Sequence, residues 1–401
     1  MMKKQGEQRP KLAPKLRFKG FTNDWEQREL GELSNIRRGA SPRPISDPKW
    51  FSNESDIGWI RISDVTEQNG RIKNVEQKLS NLGIEKTLIL DEGELILSIA
   101  ASVGKPVINY IKTGIHDGFI VFLNPQFHRD FMFAWLERNQ FIWNRYGQPG
   151  SQVNINSEIV KKQKVLLPNI KEQEKISNMI LKFEDMITLH NLKKEKIEKL
   201  KLDLVRRLDF SLTEESDDVF LGDLIEIKSG YGFKSEEFSN NGIPLIRISD
   251  IDSGIVKKPD IFIKEDSKHI DFLIKNGDYL IAMSGATTGK VGRYTLSHDA
   301  YCNQRIGIIR GIENKIDNNY LEYVLHSSKF QHYISTQWGA GAQPNINLKQ
   351  IKDYKLRLPK LSEQKLIGSI FANLNSQKDI HKVKVDQLLS LKELYLNKLF
   401  I

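Results

Sequence analysis

From about residue 30 to residue 168 the apolar residues come in short runs, IGWIRI, ELILSI, FIVFL and KVLL, divided by Gly, Asn, Asp and Pro. Runs of this length between turn formers predict strands. Helical spacing appears at 131–146 (FMFAWLERNQFIWNRY) and again at 320–338. Each half of the chain therefore reads as a mixed α/β (α+β) globule dominated by strands. After Pro168 the period changes to 3.5. Ile176, Phe183, His190, Ile197 and Leu204 are spaced by seven, with Met179, Met186, Lys193, Leu200 and Arg207 as a second series. The pattern returns at Ile367, Leu374, His381, Leu388 and Tyr395, with Ile370, Gln377, Lys384, Leu391 and Lys398. Two long helices with matched seams are expected to pair, and His190 with His381 would form a polar layer in the seam or reach solvent beside it.

Connection length sets the direction of that pairing. A helix over 170–208 is roughly 57 Å long, and the short stretch DFSLTEESDD follows it. A parallel pair would force the second globule to begin at one end of the rod and finish at the other. An antiparallel pair avoids this and is the expected arrangement, with the globules at opposite ends and a pseudo-twofold axis across the coil.

The two halves also repeat each other. LGELSNIRRG from Leu30 matches LGDLIEIKSG from Leu221, WIRISDV from Trp59 matches LIRISDI from Leu245, and DEGELILS from Asp91 matches KNGDYLIA from Lys275. QVNIN from Gln152 answers QPNIN from Gln343, Leu167 and Pro168 answer Leu358 and Pro359, and Glu172 and Gln173 answer Glu363 and Gln364. A repeat this long is a duplicated domain, not a solenoid of short units. The expected division is a basic N-terminal arm (1–20), a first globule (21–169), a first coil helix (170–208), a linker (209–220), a second globule (221–360) and a second coil helix (361–401).

Composition narrows the partners. Sixty Lys and Arg against 51 Asp and Glu give +9, which favours an anionic partner such as nucleic acid. One cysteine, Cys302, excludes an intramolecular disulfide and a Cys-rich zinc site. A reducing, cytoplasmic setting suits it, with Cys302 as a small buried hydrophobe. No run of about 18 apolar residues appears, so no membrane span is expected. The basic first residues lack the apolar stretch of a signal peptide, and a loosely ordered arm to Pro14 is expected.

Two similar globules related by a twofold suit duplex DNA, whose half-sites recur on one face about every 34 Å. The rod would act as a ruler, and differing interiors would give an asymmetric, bipartite target. Here the motifs carry a family resemblance. They are PKLRFKGFTNDW (14–25), IPLIRISDI (243–251), GDYLIAMSGATTGKVG (277–292), NQRIGIIR (303–310) and GAQPNINLKQIKDYKLRLPKLSEQK (341–365). In order, duplication and spacing the chain resembles the DNA specificity subunit of type I restriction-modification systems over essentially its whole length. The resemblance implies two target-recognition domains, central helices that dock two methyltransferase subunits, and a larger complex with an endonuclease/translocase subunit. The first half departs from the pattern, with SIAASVGKPV where the second has MSGATTGKVG.

Catalytic signatures fail on inspection. In SGATTGKVG, Gly285 and Gly289 enclose three residues where a phosphate-binding loop needs four, and Val291 stands where Ser or Thr should hold magnesium. The segment reads instead as a strand-to-turn unit offering backbone amides and Lys290 to a DNA phosphate, or as a structural glycine turn. Pro259, Asp260, Asp266 and Lys268 faintly echo a nuclease, and Asp47, Pro48, Lys49 and Trp50 are a poor copy of an amino-methyltransferase motif. No catalytic centre, cofactor or metal is expected.

Base edges are read by Arg, Lys, Asn and Gln on exposed turns, and phosphates by amides, hydroxyls and further cations. The first-half candidates are Arg37, Arg38, Ser41, Arg43, Lys105, Gln148, Ser151 and Gln152. Their counterparts are Lys228, Ser229, Tyr231, Lys234, Lys290, Arg293, Gln343 and Asn345. Arg61 and Arg247, in the repeated RISD strand, are expected to pair with Asp64 and Asp250. Candidate coil and partner-docking residues are Ile176, Ile180, Phe183, Ile187, Ile197 and Leu204, then Ile367, Phe371, Leu374, Leu388 and Tyr395. The competing readings are a coiled-coil adaptor with protein-binding ends, and a nuclease or nucleotide hydrolase.

Overall fold

The computed structural model describes residues 12–100, 102–146, 155–211, 218–252, 254–257, 259–264, 267–338 and 344–400. The chain forms two compact units, Met1–Leu189 with Lys384–Ile401, and residues 190–383.

The strands described in the first unit are β1 (Glu26–Glu29), β2 (Asn35–Arg38), β3 (Gly58–Ile60), β4 (Arg71–Ile72), β5 (Leu88–Leu90), β6 (Leu95–Ser98), β7 (Pro106–Asn109), β8 (Thr113–Ile115), β9 (Phe119–Leu123) and β10 (Lys164–Leu167). They make a five-stranded sheet in the order β2-β9-β6-β7-β4, a three-stranded sheet β3-β8-β5, and the pair β1-β10. Successive side chains of a strand point to opposite faces. Leu95, Leu97, Ile120 and Phe122 accordingly enter one core with Phe131, Met132 and Leu136 of the helix Arg129–Arg138, while Ile96, Phe119 and Val121 enter another with Ile60, Leu90 and Ile115. Burial on both faces explains why these strands read as continuous apolar runs.

The second unit repeats the plan. Its strands are β11 (Asp218–Phe220), β12 (Ile225–Ser229), β13 (Phe238–Ser239), β14 (Ile243–Ile246), β15 (Ile251–Asp252), β16 (Gly254–Val256), β17 (Phe262–Ile263), β18 (Leu273–Ile274), β19 (Tyr279–Ala282), β20 (Val291–Arg293), β21 (Ala300–Cys302), β22 (Ile306–Gly311) and β23 (Lys355–Arg357). The sheets run β12-β22-β19-β20-β16-β15, β13-β17-β14-β21-β18 and β11-β23. The unusual pairings recur too, since β3 with β8 and β14 with β21 are both parallel. Cys302 is fully buried in the second of these pairs, and burial pushes its thiol pKa up.

The repeated motifs prove to be joints. The second Asn of each QxNIN, Asn156 and Asn347, caps a short helix by accepting from the amides of Ile159 and Gln350 at 3.0 and 2.9 Å. The Ile before each cap, Ile155 and Ile346, is buried. Gln173 and Gln364 act alike at the start of the long helices. Each donates Nε2 to the preceding proline carbonyl, Pro168 or Pro359, at 2.8 Å. Each also accepts, from the amides of His128 and Asp317 at 2.8 and 2.9 Å. Those amides head the helices Arg129–Arg138 and Asn318–His326, so the glutamines clasp globule to rod. Glu172, beside the first, is fully buried and takes a two-pronged bond from Arg17 at 2.7 and 2.8 Å. The N-terminal arm is thus pinned to the unit from Leu12 onward, where the Leu12 carbonyl accepts from the Trp25 amide.

Two expectations need correction. Arg61 and Arg247 do not lie inside strands. Each stands just before a helical turn, because the carboxylate three residues on, Asp64 or Asp250, accepts from its own amide at 2.8 Å and starts that turn. The predicted pairings do form, with Nε contacts of 3.5 and 3.4 Å, supplemented by Glu76 and Asp260.

The second correction concerns the coil. The long helices are Ile170–Ser211 and Leu361–Leu399. In the first unit Phe183 faces Tyr395 at 5.5 Å and Glu184 meets Lys392 at 3.0 Å. In the second, His190 Nδ1 meets His381 Nδ1 at 2.9 Å, and Lys201 bonds Asn375. One number rises as the other falls, so both segments pair antiparallel. The seam, however, joins the first predicted series to residues four positions on, not three. Ile180, Phe371, Val385 and Leu399 are buried, whereas Met186, Leu200, Ile370 and Leu391 are exposed. A 3.5 period admits either spacing, and the globules choose. Each helix must face both its partner and a globule, so the lysines in the buried series find carboxylates there, as Lys392 finds Glu137 and Lys201 finds Glu322.

Candidate nucleic-acid interface

Strand register brings most of the candidates to one end of each large sheet. In the first unit Arg38 lies opposite Ile120, and Ser98 opposite Phe119. The end of β2, the turn between β8 and β9, and the hairpin from Ser98 to Lys105 therefore share an edge. The chain can turn out of β2 there only because residue 39 is glycine. A Cβ on Gly39 would lie 2.2 Å from the His116 carbonyl oxygen, while its amide donates to Phe119.

Asp117 organises this edge, and sequence reasoning missed it. Its carbonyl accepts from Arg38 Nε at 2.6 Å, its Oδ1 from the Ser41 hydroxyl at 2.7 Å, and its Oδ2 from Arg43 Nη2 at 2.8 Å. The Ser41 hydrogen bond, with Arg43 and Arg38 beside it, holds the Asp117 carboxyl below the usual range despite partial burial. Three of the four predicted residues on this loop are thus set around one residue, Ser41 and Arg43 on its carboxylate and Arg38 on its carbonyl, and Arg37 is exposed on the strand before them. The signal available in sequence was the HDG turn at 116–118. Lys105 closes the neighbouring hairpin, its carbonyl accepting from Ser98. Gln148, Ser151 and Gln152 lie outside the described residues.

The second unit repeats the edge with different chemistry. Gly230 takes the place of Gly39, with a Cβ position 2.1 Å from the Cys302 carbonyl oxygen and an amide donated to Ile306. Lys228 Nζ donates to the Asp271 carbonyl, and Ser229 ends the strand beside it. The Tyr231 ring packs edge-on or tilted against Phe233, His269 and Phe272, with centroids 5.0, 4.4 and 5.1 Å apart. Lys234 is exposed, and its amide donates to Glu237 at 2.7 Å. In place of the HDG turn stand Asn303, Gln304 and Arg305. Gln304 and Arg305 are exposed on this same edge and were absent from the predicted set, although their string NQRIGIIR was in view.

The SGATTGKVG segment is a hairpin between β19 and β20, with no helix after it. Its amides are largely committed: Gly285 donates to Pro344, Thr288 to Gly285, Gly289 to Ala282 and Lys290 to Thr287. The expectation of a phosphate-binding amide cradle is therefore corrected to a rigid turn that presents the exposed Lys290. Gly285 and Gly289 adopt φ of +80° and +86°, which suits glycine. Asn345 is exposed and bridges Ser284 of this hairpin. Gln343 lies outside the described residues. Arg293 stands apart, opposite Tyr279 at the other end of β20, and bonds Asn319 at 3.1 Å and Glu322 at 3.5 Å.

The other strings resolve as structure. Asp47 caps a turn by accepting from the Lys49 amide, and Trp50 is buried with its indole donating to Pro44. Asp260 pairs with Arg247, while Asp266 and the Lys268 side chain lie outside the described residues. Among the described residues no group of three or more His, Cys, Asp or Glu is placed to hold a metal ion, and no helix is long and apolar enough to cross a membrane.

The coil candidates fall into cores and seams. Ile176 and Ile180 join the first globule's core, with Tyr395 packed against it, and Phe371, Leu204 and Ile367 join the second's. Ile197 and Leu388 are buried, and Phe183, Ile187 and Leu374 partly so. The exposed apolar residues of these helices are different ones. They include Met186, Leu189, Leu391 and Leu394 in the first unit, and Leu192, Leu200, Ile370, Ile380 and Val383 in the second.

Known proteins share this organisation. The specificity subunit of the type I restriction enzyme MjaVIII from Methanocaldococcus jannaschii is 23% identical over 402 residues, covering 94% of this chain and 92% of its own. The specificity subunit of EcoBI from Escherichia coli is 26% identical over 178 residues, 42% of this chain and 34% of its own. The crystal structure of the type I system S subunit from M. genitalium superposes with a TM-score of 0.66 at 18% identity, covering 97% of this chain and 99% of that one. The type I restriction modification DNA specificity domain matches twice, over residues 22–199 and 213–390. The chain therefore belongs to the family of type I restriction-modification DNA specificity proteins.

Proposed function

We propose that each unit binds duplex DNA through the loop-bearing end of its large sheet and reads one half of an asymmetric, bipartite site. The recognition domains would span 21–169 and 221–360. The observation that carries this is the duplicated edge. The same glycine-gated turn and a hairpin loop closed by a lysine recur in both units, with Arg38, Ser41 and Arg43 on one edge and Tyr231, Lys234, Gln304 and Arg305 on the other. A shared frame with unlike side chains suits two different words. Arg293 is left out of the reading surface, since its guanidinium is engaged by Glu322.

The chain itself would be non-catalytic, with methyl transfer and cleavage belonging to partners. We assign docking of two methyltransferase subunits to the exposed apolar residues of the long helices, and endonuclease/translocase subunits would join through that complex. Introducing the gene with its methyltransferase partner into a host and mapping methylated positions should reveal a split motif. Methylation of one continuous short site would overturn the proposal. A salt titration separates it from a protein-binding adaptor, because phosphate contacts make affinity fall steeply with ionic strength.

A further inference from the structure

One feature recurs in both units, on a segment packed against the hairpin, and belongs to neither the charged set nor the core. Tyr146 ends the helical turn Gln140–Tyr146, and Trp338 follows the helix Ser328–Thr336. Both are large aromatic rings left in solvent, at 39% and 42% exposure. Five of the chain's six tryptophans, Trp25, Trp50, Trp59, Trp135 and Trp143, are at most 8% exposed, so Trp338 is the exception.

Both rings follow segments seated on the hairpin loops that Lys105 and Lys290 close. In the first unit Gln140 Nε2 donates to the Val103 carbonyl at 3.1 Å, and Trp143 packs so closely on Gly104 that a Cβ there would lie 2.1 Å from its ring. In the second, Gln331 Nε2 donates to the Gly289 carbonyl at 3.2 Å, and a Cβ on Gly289 would meet Ile334 at 3.0 Å. Each hairpin ends in its lysine, Lys105 or Lys290, and the chain returns to it at Ile155 or Ile346, whose amides donate to Ile99 and Met283. The Arg145 guanidinium lies 5.1 Å from the Tyr146 ring centre and donates to Gln163 Oε1 at 2.5 Å. A solvent-exposed ring that recurs at corresponding places of two globules suits a polyanion with apolar sugar and base edges.

We infer that Trp338 and Tyr146 are equivalent DNA-contacting residues, each laying its ring against deoxyribose and base edges at the groove rim of its own half-site. The inference rests on the reading of both units as duplex-binding. Ring packing of this kind tolerates sequence, so these residues supply affinity and hold the reading edge in place, while the neighbouring polar side chains choose the bases.

The test uses the full chain and a duplex carrying the split site found by methylation mapping. On binding, the acrylamide-accessible part of the tryptophan emission should become protected, and Trp338→Phe should remove that DNA-dependent change while keeping near-normal affinity. Trp338→Ala and Tyr146→Ala should each weaken binding roughly ten-fold, whereas Tyr146→Phe should not. The dependence on salt should stay unchanged, because no phosphate contact is lost. If the duplex binds by fluorescence anisotropy while Trp338 stays as open to acrylamide as before, or if the alanine variants bind as well as the phenylalanine ones, the inference falls and the duplex-binding reading stands. A wild-type chain that binds no duplex overturns that reading as well.

Discussion

Replacing Glu184 with leucine should loosen the first recognition domain from its rod. The Glu184 carboxylate is bonded by Arg71 of β4 at 2.7 Å and by Lys392 of the second long helix at 3.0 Å. The three side chains are only 17%, 18% and 14% exposed for Arg71, Glu184 and Lys392, so water does little to screen them. Burial works against both cations, yet the carboxylates prevail and hold the pKa of Arg71 and of Lys392 above ordinary values. Removing one member of a buried pair costs about 3–5 kcal/mol through the charge left behind. Here Arg71 retains Asp130 at 3.0 Å and Lys392 retains Glu137 at 2.9 Å, which places the expected loss near the lower bound, about 3 kcal/mol. For a unit of this size that corresponds to a fall in melting temperature of about 6–12 °C. The assay is convenient because the five buried tryptophans all belong to the first unit, so their emission follows its unfolding. The difference should persist at high salt, unlike that of a surface pair. A loss under about 0.5 kcal/mol, the range of exposed pairs, would refute the reasoning and make this junction one of apolar packing alone.

Other outcomes follow from the same geometry. Gln173→Ala and Gln364→Ala each leave a helix-heading amide without its acceptor and should cost about 1–3 kcal/mol, read as faster hydrogen exchange at His128 and Asp317. Burial of the Asp130 carboxyl favours its neutral form, but Arg129 and Arg71 outweigh that and depress its pKa. Its stabilising contribution is therefore complete above the unfolded value of about 3.9 and is lost as pH falls through the lower folded one; acid titration of the tryptophan emission should show a shallower loss for Asp130→Asn. Gly230→Ala drives a methyl into the Cys302 carbonyl and should disorder the second reading edge while sparing the first, so methylation mapping should show one half-site lost. Arg38→Ala or Lys234→Ala should likewise alter one half-site and leave the other, whereas equal damage to both would indicate misfolding.

The duplication, the strand-rich halves and the antiparallel helices were legible because each leaves a periodic or repeated trace. The helix seam was only half legible. The spacing of Ile176, Phe183 and Ile197 was right and Ile180, Ile187 and Phe371 were visible as a wider apolar stripe, but which companion series turns inward is set by the globule surfaces. The loops that carry Arg38, Ser41 and Arg43 were visible in sequence, yet Asp117, which gathers them, arrives from a turn 74 to 79 residues away. Arg293 looked equivalent to its neighbours by position along the hairpin, and only strand register reveals that it stands at the far end of β20. The glutamine of each EQ pair was visible as a repeat without a purpose, because both of its partners are backbone atoms.

That glutamine clasp has a consequence for inheritance. Since each fastening is made to a proline carbonyl and a helix-leading amide, it asks nothing of the loops at the sheet ends. Loop sequences can therefore change without disturbing either end of the clasp, provided the proline and the capped helix start keep their places.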